Sequence, residues 1–151
     1  MIQRNRKTLI ASIMLALMPV SALALEFRSV AVQKAVLYDA PASSAKKVLL
    51  LSQYSPVEVV VDLGEWLKVR DAQGALHWIE KKQLSTKHTV QISVKSAEIR
   101  QAADATSGLL ATLEKDVVLE LVDVKLNNGW LKIKHRDGIS GYILMTSAWG
   151  F

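Results

Sequence analysis

The sequence predicts an all-β protein built from two tandem copies of one small barrel or sandwich. Three observations predict it. The first is an internal repeat. Trp66-Leu67-Lys68-Val69-Arg70 returns as Trp130-Leu131-Lys132-Ile133-Lys134, and Gly74 and Trp78-Ile79 return as Gly138 and Tyr142-Ile143, all 64 positions on. Upstream the offset is 62, pairing Leu37 with Ile99, Val57 with Leu119 and Val59 with Leu121. The two extra residues fall between Val122 and Gly129, around a turn, where a duplicated domain tolerates a length change. The second observation is a series of short runs rich in β-branched, leucine and aromatic residues, separated by turn formers. The third is a pair of tight-turn signals, Asn128-Gly129 and Asp137-Gly138, whose residues reach positive φ at low cost.

The N-terminus reads as a signal peptide spanning 1–24. Arg4, Arg6 and Lys7 form its positive region, Leu9 to Val20 its apolar region, and Ala22-Leu23-Ala24 its small-x-small cleavage signal. Cleavage after Ala24 leaves Leu25 first and places the protein in the periplasm or outside the cell. The competing reading is a retained signal anchor. Leu9 to Leu25 is 17 residues long and is broken by Ser12, Pro19 and Ser21, whereas a spanning helix needs about 20 apolar residues. No other segment is apolar enough to span, so no stable membrane span is expected after cleavage.

The first repeat, 25–85, offers strands at Arg28 to Val32, Val48 to Leu51, Val57 to Val61, Trp66 to Asp71 and Leu76 to Glu80. Turns at 39–44, Ser55-Pro56, 63–65 and 71–74 separate them. The second repeat, 86–151, offers Val90 to Val94, Leu109 to Leu113, Val117 to Val122, Trp130 to His135 and Ser140 to Leu144. A domain of about 60 residues is marginal alone. The polar junction from Ser85 to His88 is too short for a free tether. The halves are therefore expected to pack together or share a stiff joint.

Composition removes several functions. There is no cysteine, so disulfides, thiolate metal sites, a thiol nucleophile and a lipidated N-terminus are excluded. Three of the 19 basic residues leave with the signal peptide, which leaves 16 against 14 acidic ones. That balance does not suit a nucleic-acid binder.

The motifs resemble bacterial SH3 domains, small five-stranded barrels of cell-envelope proteins. In the first half these are Leu37-Tyr38-Asp39-Ala40-Pro41, Val57 with Val59, Trp66-Leu67-Lys68-Val69, and Gly74 ahead of Trp78-Ile79. The second half carries Ile99-Arg100-Gln101-Ala102, Leu119 with Leu121, Gly129-Trp130-Leu131-Lys132-Ile133, and Gly138-Ile139-Ser140-Gly141-Tyr142-Ile143. The tryptophan-to-aromatic spacing is 12 in both. Departures are Ala103 for Pro41, His77 for Gly141, and Tyr38 opposite Arg100. The resemblance implies two tandem SH3-like barrels and, as ligand, peptidoglycan or a cell-wall peptide. Such domains often accompany cysteine peptidases, but this chain has no cysteine.

Alternation places Leu67, Val69, Ile79, Leu131, Ile133 and Ile143 in the cores. Trp66, Lys68 and Arg70 share the opposite face, as do Trp130, Lys132 and Lys134; Trp78 and Tyr142 lie on the neighbouring strands. Two readings fit. Each face is a groove-lining aromatic beside cations, suited to a glycan or an anionic polymer. Or each tryptophan caps its barrel beneath the first long loop, with solvated lysines alongside. The terminal Trp149 and Phe151 are expected to close the second barrel.

No enzyme is expected. His77, His88 and His135 read as lone exposed histidines without ligand spacing. The carboxylates Asp62, Glu65, Glu114 and Asp116 form no acid–base pair repeated in both halves. No phosphate loop or nucleophile elbow is present, so no metal or other cofactor is expected. The sequence therefore reads as an exported binding module for cell-wall polymer, or as an adaptor for a periplasmic protein.

Overall fold

Alternation decides which side chains go inside. Leu67, Val69, Ile79, Leu131, Ile133 and Ile143 are all fully shielded from solvent, as the register of the sequence requires. The computed structural model describes residues 25–151. The expected signal peptide and its cleavage site after Ala24 lie outside the described residues.

The first copy contains β1 (Glu26–Val30), β2 (Lys34–Tyr38), β3 (Lys47–Ser52), β4 (Pro56–Asp62), β5 (Trp66–Arg70), β6 (Leu76–Glu80) and β7 (Leu84–Ser85). The second contains β8 (Thr89–Ile92), β9 (Ser96–Arg100), β10 (Leu109–Glu114), β11 (Val118–Asn127), β12 (Trp130–Lys134), β13 (Ser140–Leu144) and β14 (Ala148–Trp149). A short 3₁₀ turn precedes the last strand of each copy, at Lys81–Gln83 and Met145–Ser147. The strand order is β3-β2-β6-β5-β4-β1-β7 in one sheet and β10-β9-β13-β12-β11-β8-β14 in the other.

Each sheet has seven strands, where five were expected. The additional ones are β2 and β7, with their copies β9 and β14. In β2 only Val36-Leu37-Tyr38 carry a strand signal, since Lys34 is charged and Ala35 is small. A two-residue strand such as β7 is too short to show alternation at all.

Each sheet curls around its own core. Val30 on β1 and Ala35 and Leu37 on β2 share one cluster with Val57, Leu67, Val69 and Ile79. Three strands separate β1 from β2 in the sheet order, so only a sheet folded round on itself brings them together. Gln83 ties the seam. Its carbonyl accepts from Ala31 N at 2.8 Å, and its side-chain Oε1 accepts from Val36 N at 3.0 Å. The second core uses Val90, Ile92, Ile99, Leu119, Leu131, Ile133 and Ile143 in the same way.

The repeat's length change lies in a strand, not in a turn. β4 has one extra residue against β5, between Val59 and Val61. β11 has the matching bulge between Leu121 and Asp123, and a second shift between Asp123 and Asn127. Bulges absorb inserted residues by bending a strand without shifting the register beyond them. Asn128 and Gly129 close this arm with φ of 50° and 84°, the primed turn their sequence favours.

The barrels pack against each other. Thr89, buried at the start of β8, donates from Oγ1 to the carbonyl of Tyr54 at 2.7 Å. Phe27 of the first copy meets Trp149 of the second edge-on at 5.2 Å. Trp149 thus serves the joint as well as the second sheet it was expected to close, whereas Phe151, expected beside it, is exposed. Gly150 (φ 117°) sits where a Cβ would come within 2.8 Å of Pro56 Cβ, so only glycine fits this close approach.

Candidate functional site

The outer face of the first barrel gathers the residues singled out by alternation. Cross-strand register sets Tyr38 beside Trp78 and Trp78 beside Lys68, across β2, β6 and β5. Directly opposed residues of an antiparallel pair present side chains on one face. Lys68 Nζ lies 5.8 Å from the centroid of the Trp78 ring, within cation–π range. Trp66 meets Tyr38 edge-on at 5.3 Å, the geometry favoured by the ring quadrupoles. Trp66, Trp78 and Lys68 are half-buried, and Tyr38 is buried. The tryptophans are thus anchored along one edge and open along another. Arg70 is held in an ion pair, its Nη1 donating to Glu58 Oε2 at 2.8 Å.

The second barrel does not repeat this face. Trp130 is 8% exposed, so its ring is not open to a stacking ligand. Its deeper burial accompanies the longer β11 arm. Arg100 stands where Tyr38 stands, and its Nε donates to Glu98 at 3.0 Å while its Nη1 donates to the Ser107 carbonyl at 2.9 Å. Tyr142 is half-buried between Arg100 and Lys132 in register. Lys132 and Lys134 are exposed. The structure therefore brings Trp66, Lys68 and Trp78 together with Tyr38, leaves Arg70 in an ion pair, and in the second barrel sets Lys132 opposite Tyr142 in the same register but beside a closed tryptophan, with Lys134 further along β12.

The family is decided by the comparison of this repeat with known domains. The model of the bacterial SH3 domain matches residues 31–86 and again 93–150. The chain belongs to the bacterial SH3 domain family. Both bacterial SH3 copies carry the Trp-to-aromatic spacing, and both form the all-β barrels that the resemblance implied. No curated protein matches the chain. Among solved structures, NlpC1 from Trichomonas vaginalis is 19% identical, with a TM-score of 0.39, over 92% of this chain and 50% of that one. NlpC2 from the same organism is 17% identical, with a TM-score of 0.36, over 83% and 48%. An NlpC/P60 family protein from Bacillus cereus is 15% identical, with a TM-score of 0.38, over 82% and 55%. The chain spans about half the length of these proteins.

The histidines are less exposed than expected. His77 Nε2 lies 3.6 Å from Asp71 Oδ2, and His135 Nδ1 lies 3.2 Å from Asp137 Oδ2, with side chains 14% and 13% exposed. Each belongs to the β5–β6 hairpin or its copy. Asp71 Oδ1 accepts from Gln73 N and Ala75 N, which makes it a turn-forming residue. His88 is exposed, as expected. Among the described residues no three His, Asp or Glu side chains gather as metal ligands would, and no helix is long and apolar enough to cross a membrane.

Tyr38 is the member of this site that alternation along the tryptophan strand could not find. It lies two strands away, and only the strand order places it there. The Val36-Leu37-Tyr38 run was its one local signal.

Proposed function

We propose that this protein is an exported, non-catalytic binding module of the cell envelope, and that the outer face of its first barrel contacts peptidoglycan or a cell-wall peptide. The observation that carries this reading is the Lys68–Trp78–Trp66 arrangement. A half-open indole can stack on the apolar face of a sugar ring, and the ammonium above it can meet a carboxylate on the same polymer. The signal peptide expected from the sequence of residues 1–24 supports the location. Lys132 and Tyr142 of the second barrel repeat the Lys68–Trp78 register without a second open tryptophan.

A second reading is favoured by a separate observation. Edge strand β3 exposes Val48, Leu49 and Leu50, and its copy β10 exposes Leu109 and Leu110. An unpaired apolar edge accepts a strand from another protein, which suits a periplasmic adaptor. Co-sedimentation with insoluble peptidoglycan separates the two. The binding reading expects retention that falls with salt, since exposed charges are screened over about 8–10 Å. Absence of retention at low salt overturns it and leaves the adaptor.

A further inference from the structure

Each sheet has one long free edge. The strand order ends at β3 in the first barrel and at β10 in the second, while the opposite ends, β7 and β14, are two residues long. β3 and β10 have six residues each. On the side away from its hairpin partner, each presents a row of backbone N–H and C=O groups. Proteins usually blunt such an edge with a proline or a charge in mid-strand. Neither device is present here: residues 48–51 are all apolar, and residues 109–113 carry no charge. The bulges at Val48 and Leu110 sit near one end of each strand and leave 49–52 and 111–114 regular.

The two edges fit each other. In β3, Leu49 and Leu51 pair with buried Leu37 and Ala35 and so face inward, whereas Leu50 and Lys47 pair with Val36 and Tyr38 and face outward. In β10, Ala111 and Leu113 pair with buried Ile99 and Ala97, and Thr112 and Glu114 pair with Glu98 and Ser96 on the outer face. Antiparallel pairing of β3 with β10 of a second chain keeps inner side chains together when Leu49 faces Leu113, Leu50 faces Thr112 and Leu51 faces Ala111. The bulge at Val48, which already carries Lys47 against Tyr38, then carries it against Glu114.

Charge selects this pairing over the alternatives. Lys47 and Glu114 are both exposed. Among the described residues, neither belongs to an ion pair. Lys46 and Lys115 lie outside the two strands. Pairing β3 with β3 by the same face rule sets Leu50 against Leu50 and Lys47 against Ser52, whose hydroxyl accepts from Lys34 Nζ at 3.0 Å. Two ammonium groups then meet. Pairing β10 with β10 sets Glu114 against the bulge at Leu110, where Arg100, in register with Leu109, is already held by Glu98. Of the three pairings, β3 with β10 alone adds an attraction.

We propose that molecules of this chain associate head to tail, β3 of one adding to β10 of the next. The contact is heterologous, so it extends into filaments or closes into rings instead of stopping at a dimer. Ladder hydrogen bonds run in the plane of the sheet, which leaves the Lys68–Trp78 face open, and a repeating polymer would meet several such faces at once. The inference rests on the exposed edges of the adaptor reading and assigns them a second molecule of this chain as occupant; it does not depend on polymer binding.

Sedimentation velocity of residues 25–151 between about 10 μM and about 1 mM tests it. The weight-average sedimentation coefficient is expected to rise with concentration past that of a dimer. Lys47→Glu or Glu114→Lys alone weakens association about tenfold, because a like-charge contact replaces an attraction. The double reversal restores association, and so does mixing the two single variants. Leu50→Lys, at an exposed position of the same edge, abolishes it. All these positions are on the surface, so melting temperatures stay near that of wild type. A chain that remains monomeric at about 1 mM overturns the proposal and leaves the edges to a strand of another protein. A dimer that Glu114→Lys leaves untouched also overturns it, by assigning β3 to itself. Failure of the double reversal to recover association overturns it as well.

Discussion

The two barrels share a core and differ in almost everything placed upon it. Leu67, Val69 and Ile79 have buried counterparts in Leu131, Ile133 and Ile143. On the outer faces Tyr38 becomes Arg100, the half-open Trp66 becomes the buried Trp130, and the Glu58–Arg70 pair is not reproduced. A duplicated core keeps both folds because a polar group placed there would be buried without a partner, while its apolar sizes adjust between copies, as Val69 against Ile133 and Val57 against Leu119 show. Outer residues carry no such penalty, so one copy can hold an open aromatic face while the other supplies charge to the joint.

The shared cores make the largest prediction. Leu67→Ala and Leu131→Ala each cost about 2–5 kcal/mol, the range for emptying a buried leucine. Urea melts of the two variants should agree; a much smaller loss in one barrel shows that its core is looser than the repeat implies. Next comes Gly141, whose copy in the first barrel is His77. A Cβ at Gly141 meets the Arg100 carbonyl oxygen at 2.5 Å and Ile99 Cγ2 at 2.6 Å. The backbone atom cannot rotate aside, so Gly141→Ala costs about 1–3 kcal/mol as overpacking. His77→Ala, at the same place in the first barrel, should cost less in the same thermal melt.

The seam differs too. Gln83 bridges Val36 N and Ala31 N, whereas its counterpart Ser147 offers only its carbonyl to Ser93 N. Gln83→Ala leaves a part-buried N–H unpaired, at about 1–3 kcal/mol, while Ser147→Ala stays within about 0.5 kcal/mol. Equal losses in denaturant titrations would remove the distinction.

The smallest effect is electrostatic. Asp62 has its carboxyl held below the ordinary Asp value, first by the Lys81 ammonium hydrogen-bonded to it and then by the Gly64 N–H. The corresponding positions 126 and 145 are Leu126 and Met145. A carboxyl with a lowered folded pKa stabilises above its unfolded pKa and loses that contribution as pH falls through the folded one. The group is solvent-exposed, so the effect is small and screened by salt. Carboxyl NMR titration should show the Asp62 pKa rising toward the ordinary value in Lys81→Ala and in high salt.

Much of this was legible in the sequence. Alternation at Leu67-Val69 and Leu131-Ile133 fixed the buried faces, because one slipped residue would have buried Lys68 and Lys132. The repeat fixed the number of barrels. The difference between Trp66 and Trp130 was not legible, since both occupy the same place in the same motif. Trp66 packs on Tyr38, far away in sequence, while Trp130 pairs with Asn127 beyond a bulge that shows only as two added residues. The joint was foreseen from the short linker, but Phe27 meeting Trp149 and Lys87 capturing Glu120 needed the arrangement of the whole chain.

The asymmetry between the outer faces is the point on which function turns. Co-sedimentation with insoluble peptidoglycan, comparing wild type with Trp78→Ala and Tyr142→Ala after circular dichroism confirms folding, addresses it in one experiment. Trp78→Ala is expected to lose about tenfold or more in affinity, since stacked aromatic anchors dominate such contacts, and Tyr142→Ala is expected to remain near wild type. Equal loss in both variants, or no effect of Trp78→Ala on a wild type that binds, contradicts the assignment of the first barrel's face.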